Sequence, residues 1–194
     1  MAGKRLGVLG GTFDPVHIGH LVLAETAREQ LALDRVLFMP AGQPWRKAGR
    51  EIAPVGDRVA MVSLAIAGNP AFQLSTIESE RKGPSYTAET LAEIQHAHAE
   101  AELYFIVGED ALEDMPRWKD PERIRQLARI VAAPRPGCPS PHEPGELIVL
   151  SAMPLIGISA TSIRERVRAG RSIRYLVPPA VEDYIQEHRL YAGD

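Results

Sequence analysis

The chain of 194 residues has little of several features that define common protein classes. Its one cysteine, Cys138, excludes an intrachain disulfide. The longest apolar candidate, LIVLSAMPLIGI, is interrupted by Ser151 and Pro154, so it falls short of the roughly 18 residues of a membrane span. The apolar segment in MAGKRLGVLGG is too short for a secretory signal. We therefore expect a cytoplasmic protein without a membrane partner.

The chain also lacks an excess of positive charge, since its formal net charge is −3. Domains that bind nucleic acid usually present a basic face, so we expect no nucleic-acid partner. The composition, 45% hydrophobic and 24% charged, is ordinary for a globular protein. The length favours one domain over residues 1–194. It leaves the oligomeric state open, with a homo-oligomer as one alternative.

Short apolar runs alternate with helical patterns along the whole chain. Strands are predicted at 5–10, 35–41, 72–78, 102–108, 128–133 and 146–151. Helices are predicted at 18–31, 57–67 with Asp57 as a candidate cap, 86–98, 110–127 with breaks near Pro116 and Pro121, 161–170 and 178–190. Strands that are apolar nearly throughout are typical of a parallel sheet covered on both faces. The pattern predicts an α/β fold: a Rossmann-like, doubly wound, mostly parallel sheet of about six strands, with a small C-terminal helical part at about 157–194.

The stretch GGTFDPVHIGH follows the first predicted strand and leads into a helix. Gly10 and Gly11 allow a sharp turn and a close approach of the backbone to a ligand. The start of the helix offers unpaired N–H groups to an anion. His17 and His20, near one face of the first helical turn, can donate hydrogen bonds to phosphate oxygens. The stretch therefore predicts a phosphate site at the carboxyl end of a central strand.

Other interpretations of this stretch are weaker. It contains neither the G-x-G-x-x-G dinucleotide fingerprint nor the Gly-Lys-Ser/Thr of a Walker loop. A metal site would have only Asp14 as a further nearby ligand. Asp14 is interpreted instead as a turn residue ahead of Pro15.

A second motif, GISATSIRERV, spans residues 157–167. Ser159, Thr161 and Ser162 supply hydroxyl groups at the start of a predicted helix. Arg164 adds a planar, permanently charged fork that suits phosphate. On its own the serine-rich start would predict only a helix cap.

GTFDPVHIGH resembles the HxGH signature of the adenylyl- and cytidylyltransferase superfamily, and GISATSIRERV resembles the ISSTxIR motif of pyridine-nucleotide adenylyltransferases. GPSYTAETL (83–91), YFIVGEDALEDMPRWKD (104–120) and APRPG (133–137) resemble segments of the bacterial nicotinate-mononucleotide adenylyltransferase family. The resemblance covers residues 6 to about 186. Val16 and Ala160 depart from the Pro and Ser that are usual at these positions.

This resemblance implies transfer of AMP from ATP to nicotinate mononucleotide, giving deamido-NAD and pyrophosphate, with Mg²⁺ carried mainly by the ATP phosphates rather than by protein ligands. It implies a catalytic role for His17, His20 and Arg164. The residues implied in ATP binding are Gly10, Gly11, Thr12, Phe13, Gly19, Gly108, Asp110, Ser159, Thr161 and Ser162. Those implied in binding the mononucleotide are Lys47, Ser85, Tyr86, Thr87, Trp118 and Arg135.

Three alternatives stay open beside this interpretation. An enzyme of the same class could prefer nicotinamide mononucleotide, because a few backbone donors around residues 84–87 decide between acid and amide. A non-catalytic pyridine-nucleotide sensor would keep the glycines and Asp110 but would not require both histidines and Arg164. A phosphopantetheine adenylyltransferase would be shorter and usually carries Thr in place of the first histidine.

Overall fold

The structure is a computed structural model that describes residues 4–43, 52–132, 147–151, 153–154 and 156–193, and the side chains in these ranges except those of Glu109 and Asp110. The strands are β1 (Lys4–Gly11), β2 (Arg35–Pro40), β3 (Phe72–Leu74), β4 (Ala101–Val107), β5 (Arg129–Ala132) and β6 (Ile148–Val149). The helices are α1 (Ile18–Gln30), α2 (Val55–Ile66), α3 (Thr87–Ala97), α4 (Glu109–Asp114), α5 (Pro121–Leu127), α6 (Ala160–Arg168) and α7 (Pro179–Glu187).

The six described strands form one sheet in the order β3-β2-β1-β4-β5-β6. Each pairing among them is parallel. The chain winds outward from β1 through β2 and β3, then returns to the other side of β1 and continues through β4, β5 and β6. The predicted Rossmann-like, doubly wound α/β fold is therefore confirmed. In sheets of this kind, the reversal of strand order, here between β1 and β4, marks the crevice at the carboxyl ends of the strands where ligands bind.

The strands send alternate side chains into two separate cores, as the two-residue period of a strand requires. In β4, Tyr104 and Ile106 enter one apolar cluster, whereas Phe105 enters the other. The first cluster is covered by buried residues of α1, α2, α6 and α7, and the second by residues of α3, α4 and α5. Because both faces are covered, the strands are apolar nearly throughout, which is the pattern seen in the sequence.

Several element boundaries differ from the predicted ones. β3 ends at Leu74, because the chain bends away after Ser75 makes a last backbone hydrogen bond to Phe38 (2.8 Å). The predicted helix 110–127 is divided by a 3-10 turn, so its predicted breaks near two prolines are confirmed. Asp57, the candidate cap of α2, instead lies in the first turn and accepts a hydrogen bond from the Tyr184 hydroxyl (2.9 Å).

The C-terminal helices share the core of the sheet. Ile163 of α6 and Val181 and Ile185 of α7 are buried in the same cluster as Leu9 of β1. Helix α6 is thereby fixed against the face of the sheet that also carries α1. Within the described ranges, the protein contains no helix long and apolar enough to cross a membrane.

Candidate active site

The turn between β1 and α1 is shaped by one buried aromatic ring. Phe13 has a left-handed backbone (φ 50°), which is uncommon outside glycine, and its side chain is only 2% exposed. A Cβ on Gly11 would lie 3.1 Å from this ring, so glycine suits the tight turn. The ring meets the His20 imidazole edge to face, with centroids 5.0 Å apart. Since the Phe13 side chain is buried beneath His20, any contact of Phe13 with nucleotide would come from its backbone.

The two histidines form a stacked pair at the start of α1. Their rings lie 3.7 Å apart at 27°. The His17 N–H donates to His20 Nδ1 (3.2 Å), so the proton of the neutral His20 ring lies on Nε2 and makes this atom a donor. Gly19 leaves room for the pair, because a Cβ there would lie 3.1 Å from the His17 ring. The turn therefore presents His20 as an oriented neutral donor.

His17 is the more deeply placed of the two, at 7% exposure. Burial lowers its pKa from 6.5 to about 4, because the protonated ring would lose its hydration. Its Nδ1 atom is buried and has no hydrogen-bond partner in the described part of the chain. Buried polar atoms are usually paired, and here the His17 ring faces the backbone N–H of His20 in a capping box at the start of α1.

We expect His17 alone to lower the free energy of unfolding by about 2 kcal/mol between pH 7 and pH 5. The unfolded chain takes up the proton near pH 6.5, whereas the folded chain resists it until about pH 4. The unfolded state therefore binds more protons in this window, so the full stability above pH 6.5 is lost as the pH falls. Urea unfolding at both pH values, on wild type and His17→Asn, measures this contribution as the difference between the two proteins.

A second buried group changes stability with pH in the opposite direction, and comparing wild type with His17→Asn cancels its effect. Burial raises the pKa of Glu78, so this carboxyl favours folding at lower pH. It is present in both proteins and cancels in the difference. An equal pH dependence of wild type and variant would contradict a neutral, buried His17.

The start of α6 supplies the hydroxyl groups predicted from the second motif. Ser159 is the N-cap, and its Oγ accepts from the Ser162 N–H (3.1 Å). Ser162 Oγ donates to the Ser159 carbonyl (2.8 Å), so its proton is already used within the helix. Thr161 Oγ1 accepts from Arg164 Nη2 (3.3 Å). The hydroxyl protons of Ser159 and Thr161 are thus the ones that this turn can offer to phosphate oxygens.

Arg164 joins the two motifs across 150 residues of chain. Its Nη1 donates to the Asp14 carbonyl oxygen (2.7 Å) and lies 3.6 Å from Asp14 Oδ2. Ile156, just before the motif, lies near Gly19. The structure therefore brings the start of α6 beside the β1–α1 turn, as an active site built from both motifs requires.

Asp14 has a larger role than the turn residue predicted from sequence. It is 3% exposed, and its Oδ1 accepts from the Tyr191 hydroxyl (2.8 Å) and from the Ala53 N–H (3.1 Å). Its other oxygen lies toward Arg164. A carboxylate engaged in this way is a poor metal ligand. No group of three metal-ligating side chains occurs in the part of the chain that the structure describes.

Arg58, which sequence reasoning did not single out, ties the loops around the site together. It is 2% exposed, and burial lowers its pKa while nearby Asp14 opposes the shift. Its guanidinium donates to four backbone carbonyl oxygens, those of Thr12 (2.8 Å), Ala41 (2.7 Å), Gly42 (3.0 Å) and Ala53 (3.0 Å). One side chain thereby connects the ends of β1 and β2 to the start of α2.

Four of the residues predicted to bind the mononucleotide lie near the start of α3 or beside it: Ser85, Tyr86, Thr87 and Trp118. Tyr86 is the N-cap of α3 and Thr87 its first residue. The Lys119 Nζ lies 4.1 Å from the centre of the Tyr86 ring, which places Trp118 nearby. Trp118 Nε1 and Ser85 Oγ are buried polar atoms without a partner among the described residues. The structure therefore gathers these four predicted residues in one region.

Other predicted residues are placed only in part. Gly108 is the N-cap of α4 and follows β4, the neighbour of β1. Asp110 lies in the first turn of α4, and its side chain is outside the described part of the structure. Lys47 and Arg135 lie outside the described residues. Their predicted contacts remain predictions.

The structural roles of Arg58, Asp14 and Tyr191 were not predicted, and the sequence signals for them differ in strength. Arg58 lies on the same helical stripe as Met61 and Val62, so a charged residue on an apolar face was visible. Asp14 shows only its place ahead of a proline. Tyr191 has no local signal, because its partner is 177 residues away in sequence.

A doubly wound parallel sheet, with two histidines at the first strand–helix turn and an arginine anchored beside them, defines a nucleotidyltransferase of the cytidylyltransferase-like class. The model of the cytidylyltransferase-like family matches residues 8–166. At a finer level, the chain belongs to the nicotinate-nucleotide adenylyltransferase family, as its relatives show. A Thermomicrobium roseum protein named probable nicotinate-nucleotide adenylyltransferase is 47% identical over 97% of this chain and 92% of its own. A Roseiflexus protein with the same name is 48% identical over 98% of this chain and 100% of its own.

Solved structures agree on the fold. Plasmodium falciparum nicotinic acid mononucleotide adenylyltransferase complexed with NaAD has a TM-score of 0.79 at 18% identity, and the match covers 97% of both chains. A putative nicotinate-nucleotide adenylyltransferase from Vibrio parahaemolyticus has a TM-score of 0.72 at 20% identity, and the match covers 98% of this chain and 97% of that one. At such identities the likeness concerns the fold alone.

Proposed function

We propose that the protein is a nicotinate-nucleotide adenylyltransferase, which transfers AMP from ATP to nicotinate mononucleotide and releases pyrophosphate. The observation that carries the proposal is the anchoring of Arg164 on Asp14, beside the stacked His17 and His20. It joins the two phosphate motifs of the sequence at the carboxyl edge of the central strand. The names of the relatives that match nearly the whole chain point to the same reaction.

The reaction requires no protein nucleophile. The 5′-phosphate oxygen of the mononucleotide attacks the α-phosphorus of ATP, a new P–O bond forms, and the bond to the β-phosphate oxygen breaks in line with it. Pyrophosphate leaves with the bonding electrons. Catalysis of this kind depends on positioning and on stabilising the charge that moves to the leaving group.

The groups around the crevice suit this task. His20 can donate from Nε2–H while its ring stays neutral, because its Nδ1 accepts the His17 N–H. Arg164 and the hydroxyl groups of Ser159 and Thr161 supply donors to the triphosphate. Donors fixed before the reaction need no reorganisation as charge develops, which is the main source of such stabilisation.

Nucleotidyltransferases that use ATP generally require a divalent metal ion. Here we propose that Mg²⁺ enters as the Mg–ATP substrate, held by phosphate oxygens and water, which is its usual mode of binding. The engagement of the Asp14 carboxylate by Arg164, Tyr191 and the Ala53 N–H supports this proposal. The catalytic contacts assigned above are all made by residues of the protein, and none is assigned to the metal ion.

The pyridine end of the substrate is assigned to the region of Ser85, Tyr86, Thr87 and Trp118. Helix α3 begins at Thr87, and the first N–H groups of a helix favour a carboxylate over a neutral amide. Glu89 in this first turn is paired with Lys119 (2.7 Å), which offsets its repulsion of an anion. These features support nicotinate over nicotinamide mononucleotide.

We expect pyrophosphate release from Mg–ATP with nicotinate mononucleotide at a kcat/KM at least about tenfold above that with the amide, a modest discrimination of about 1.4 kcal/mol. Phosphate-coupled detection of pyrophosphate, with mass spectrometry of the dinucleotide product, measures both reactions. A sample without mononucleotide corrects for ATP hydrolysis. Faster turnover of the amide would overturn the substrate assignment, and no release with either would overturn the enzymatic one.

A further inference from the structure

We propose that Tyr191 is a positioning residue for the reaction: its hydroxyl holds the Asp14 carboxylate in the orientation that fixes Arg164 at the phosphate site. The inference rests on the proposed function only for what Arg164 does there. Tyr191 lies after α7 and belongs to neither motif. It acts through Asp14 and is not itself placed against substrate.

The contacts form a chain from the C-terminal turn to the guanidinium. Tyr191 donates to Asp14 Oδ1 (2.8 Å), and the Ala53 N–H donates to the same oxygen (3.1 Å). These two bonds leave Oδ2 toward Arg164 Nη1 at 3.6 Å. The carboxylate therefore has one oxygen for positioning donors and one for the cation.

Loss of the phenol hydroxyl would alter this division. Asp14 is 3% exposed, so water cannot easily replace a lost donor. A buried carboxylate oxygen with one donor fewer gains by turning toward the remaining donors. Arg164, whose side chain is 17% exposed, keeps its 2.7 Å bond to the Asp14 main-chain carbonyl, so the expected change is a turn of its fork about that bond as the carboxylate moves away.

Tyr191 is itself held firmly in place. Its backbone is left-handed (φ 62°), a conformation that costs a non-glycine residue of order 1 kcal/mol or more and persists only when the surroundings fix it. The preceding turn is closed by the Leu190 N–H bonding to the Ile185 carbonyl (3.0 Å), and the ring packs on the main core cluster. Burial and nearby Asp14 raise the pKa of Tyr191 well above its usual value, so the hydroxyl keeps its proton at neutral pH.

The chain offers a matched control in Tyr184. Its hydroxyl donates to Asp57 Oδ1 at 2.9 Å, which is the same chemistry at nearly the same length between α7 and α2. Both phenol rings are half-buried against the same core cluster. The hydrogen bonds that link Tyr191, Asp14 and Arg164 do not pass through Asp57, so Tyr184→Phe removes a similar bond outside the proposed relay.

The experiment compares Tyr191→Phe with Tyr184→Phe in the full chain. We expect Tyr191→Phe to lower kcat about tenfold, with the KM for nicotinate mononucleotide within about twofold of wild type, since small misplacements of a catalytic group are costly. We expect Tyr184→Phe to keep both constants within about twofold of wild type. Melting temperatures show whether the two variants lose similar stability. Equal kcat values in the two variants, or a rise in this KM alone, would overturn the proposal.

A second readout does not depend on activity. The Nε–H resonance of Arg164 in a ¹H–¹⁵N spectrum can be assigned by its loss in Arg164→Lys. It should move in Tyr191→Phe and keep its wild-type position in Tyr184→Phe, and an unmoved resonance in both would overturn the proposal. If wild type released no pyrophosphate, the proposed function would fail while this spectrum still decided the positioning role.

Discussion

We expect His20→Ala to lower kcat for pyrophosphate release by about 10²–10³, the scale observed when an enzyme loses one preorganised donor to a developing charge. The reason lies in the tautomer. Because His20 Nδ1 accepts the His17 N–H (3.2 Å), Nε2 carries the proton and can donate to a phosphate oxygen. The stacked His17 ring and the edge of Phe13 fix the direction of that donor. The measurement is steady-state turnover at saturating Mg–ATP and mononucleotide.

His20→Asn separates the two functions of the ring. An asparagine side chain places an acceptor near the position of Nδ1, so it can still accept the His17 N–H, but it offers nothing at the position of Nε2. We therefore expect a loss of kcat as large as that of His20→Ala, with a smaller loss of stability. His96→Ala, at an exposed position of α3, serves as the control with unchanged turnover. Turnover near that of wild type in His20→Asn would contradict the role of His20 Nε2–H as a donor to phosphate.

We expect Arg58→Met to lower the free energy of unfolding by about 3–5 kcal/mol, which is the scale for removing one side of a buried charged network. Methionine fills similar space but leaves the carbonyl oxygens of Thr12, Ala41, Gly42 and Ala53 without the donors that now satisfy them. Each buried acceptor left unpaired costs about 1–3 kcal/mol before relaxation. Since whole domains are stable by only about 5–15 kcal/mol, urea unfolding will detect the change easily.

Two further variants make this result specific. Arg35→Met removes an exposed guanidinium that donates to Gln73 (3.4 Å), and its stability should stay within about 0.5 kcal/mol of wild type. Arg58→Lys keeps the charge but presents one ammonium instead of a fork, so it should recover only part of the loss. A full recovery by lysine would mean that the charge of Arg58 stabilises the protein, and not the fork that joins the β1–α1 turn to the β2–α2 connection.

The fold was largely predictable because buried parallel strands must be apolar and their connections must be helical. That constraint makes β1, β2 and β4 recognisable as apolar runs in the sequence. The same constraint did not predict the lengths of the strands at the edges of the sheet. β3 and β6 span only Phe72–Leu74 and Ile148–Val149, because an apolar run does not show where strand pairing stops.

Candidate site residues can be predicted from the sequence where chemistry restricts the residue type at a turn. Glycines and two histidines between a strand and a helix, and hydroxyl residues with an arginine at a later helix, could be identified on that ground. The buried residues that hold these side chains in place could not be identified from the sequence. Tyr191 and Asp14 are 177 residues apart, and their bond arises only from the tertiary fold. Arg58 was visible as a charge on an apolar stripe, but the carbonyl oxygens that it binds were not.

The position of the crevice between β1 and β4 has a consequence for how the protein folds. These strands pair directly, although the chain runs from Gly11 to Ala101 before they can meet. Closing a long loop costs entropy, and contacts of this kind slow folding. β2 can dock on β1, and β3 on β2, across shorter loops and at a lower entropic cost. We therefore expect the edge that carries the candidate active site to be completed late, so that recovery of activity is a stricter measure of refolding than recovery of helix content.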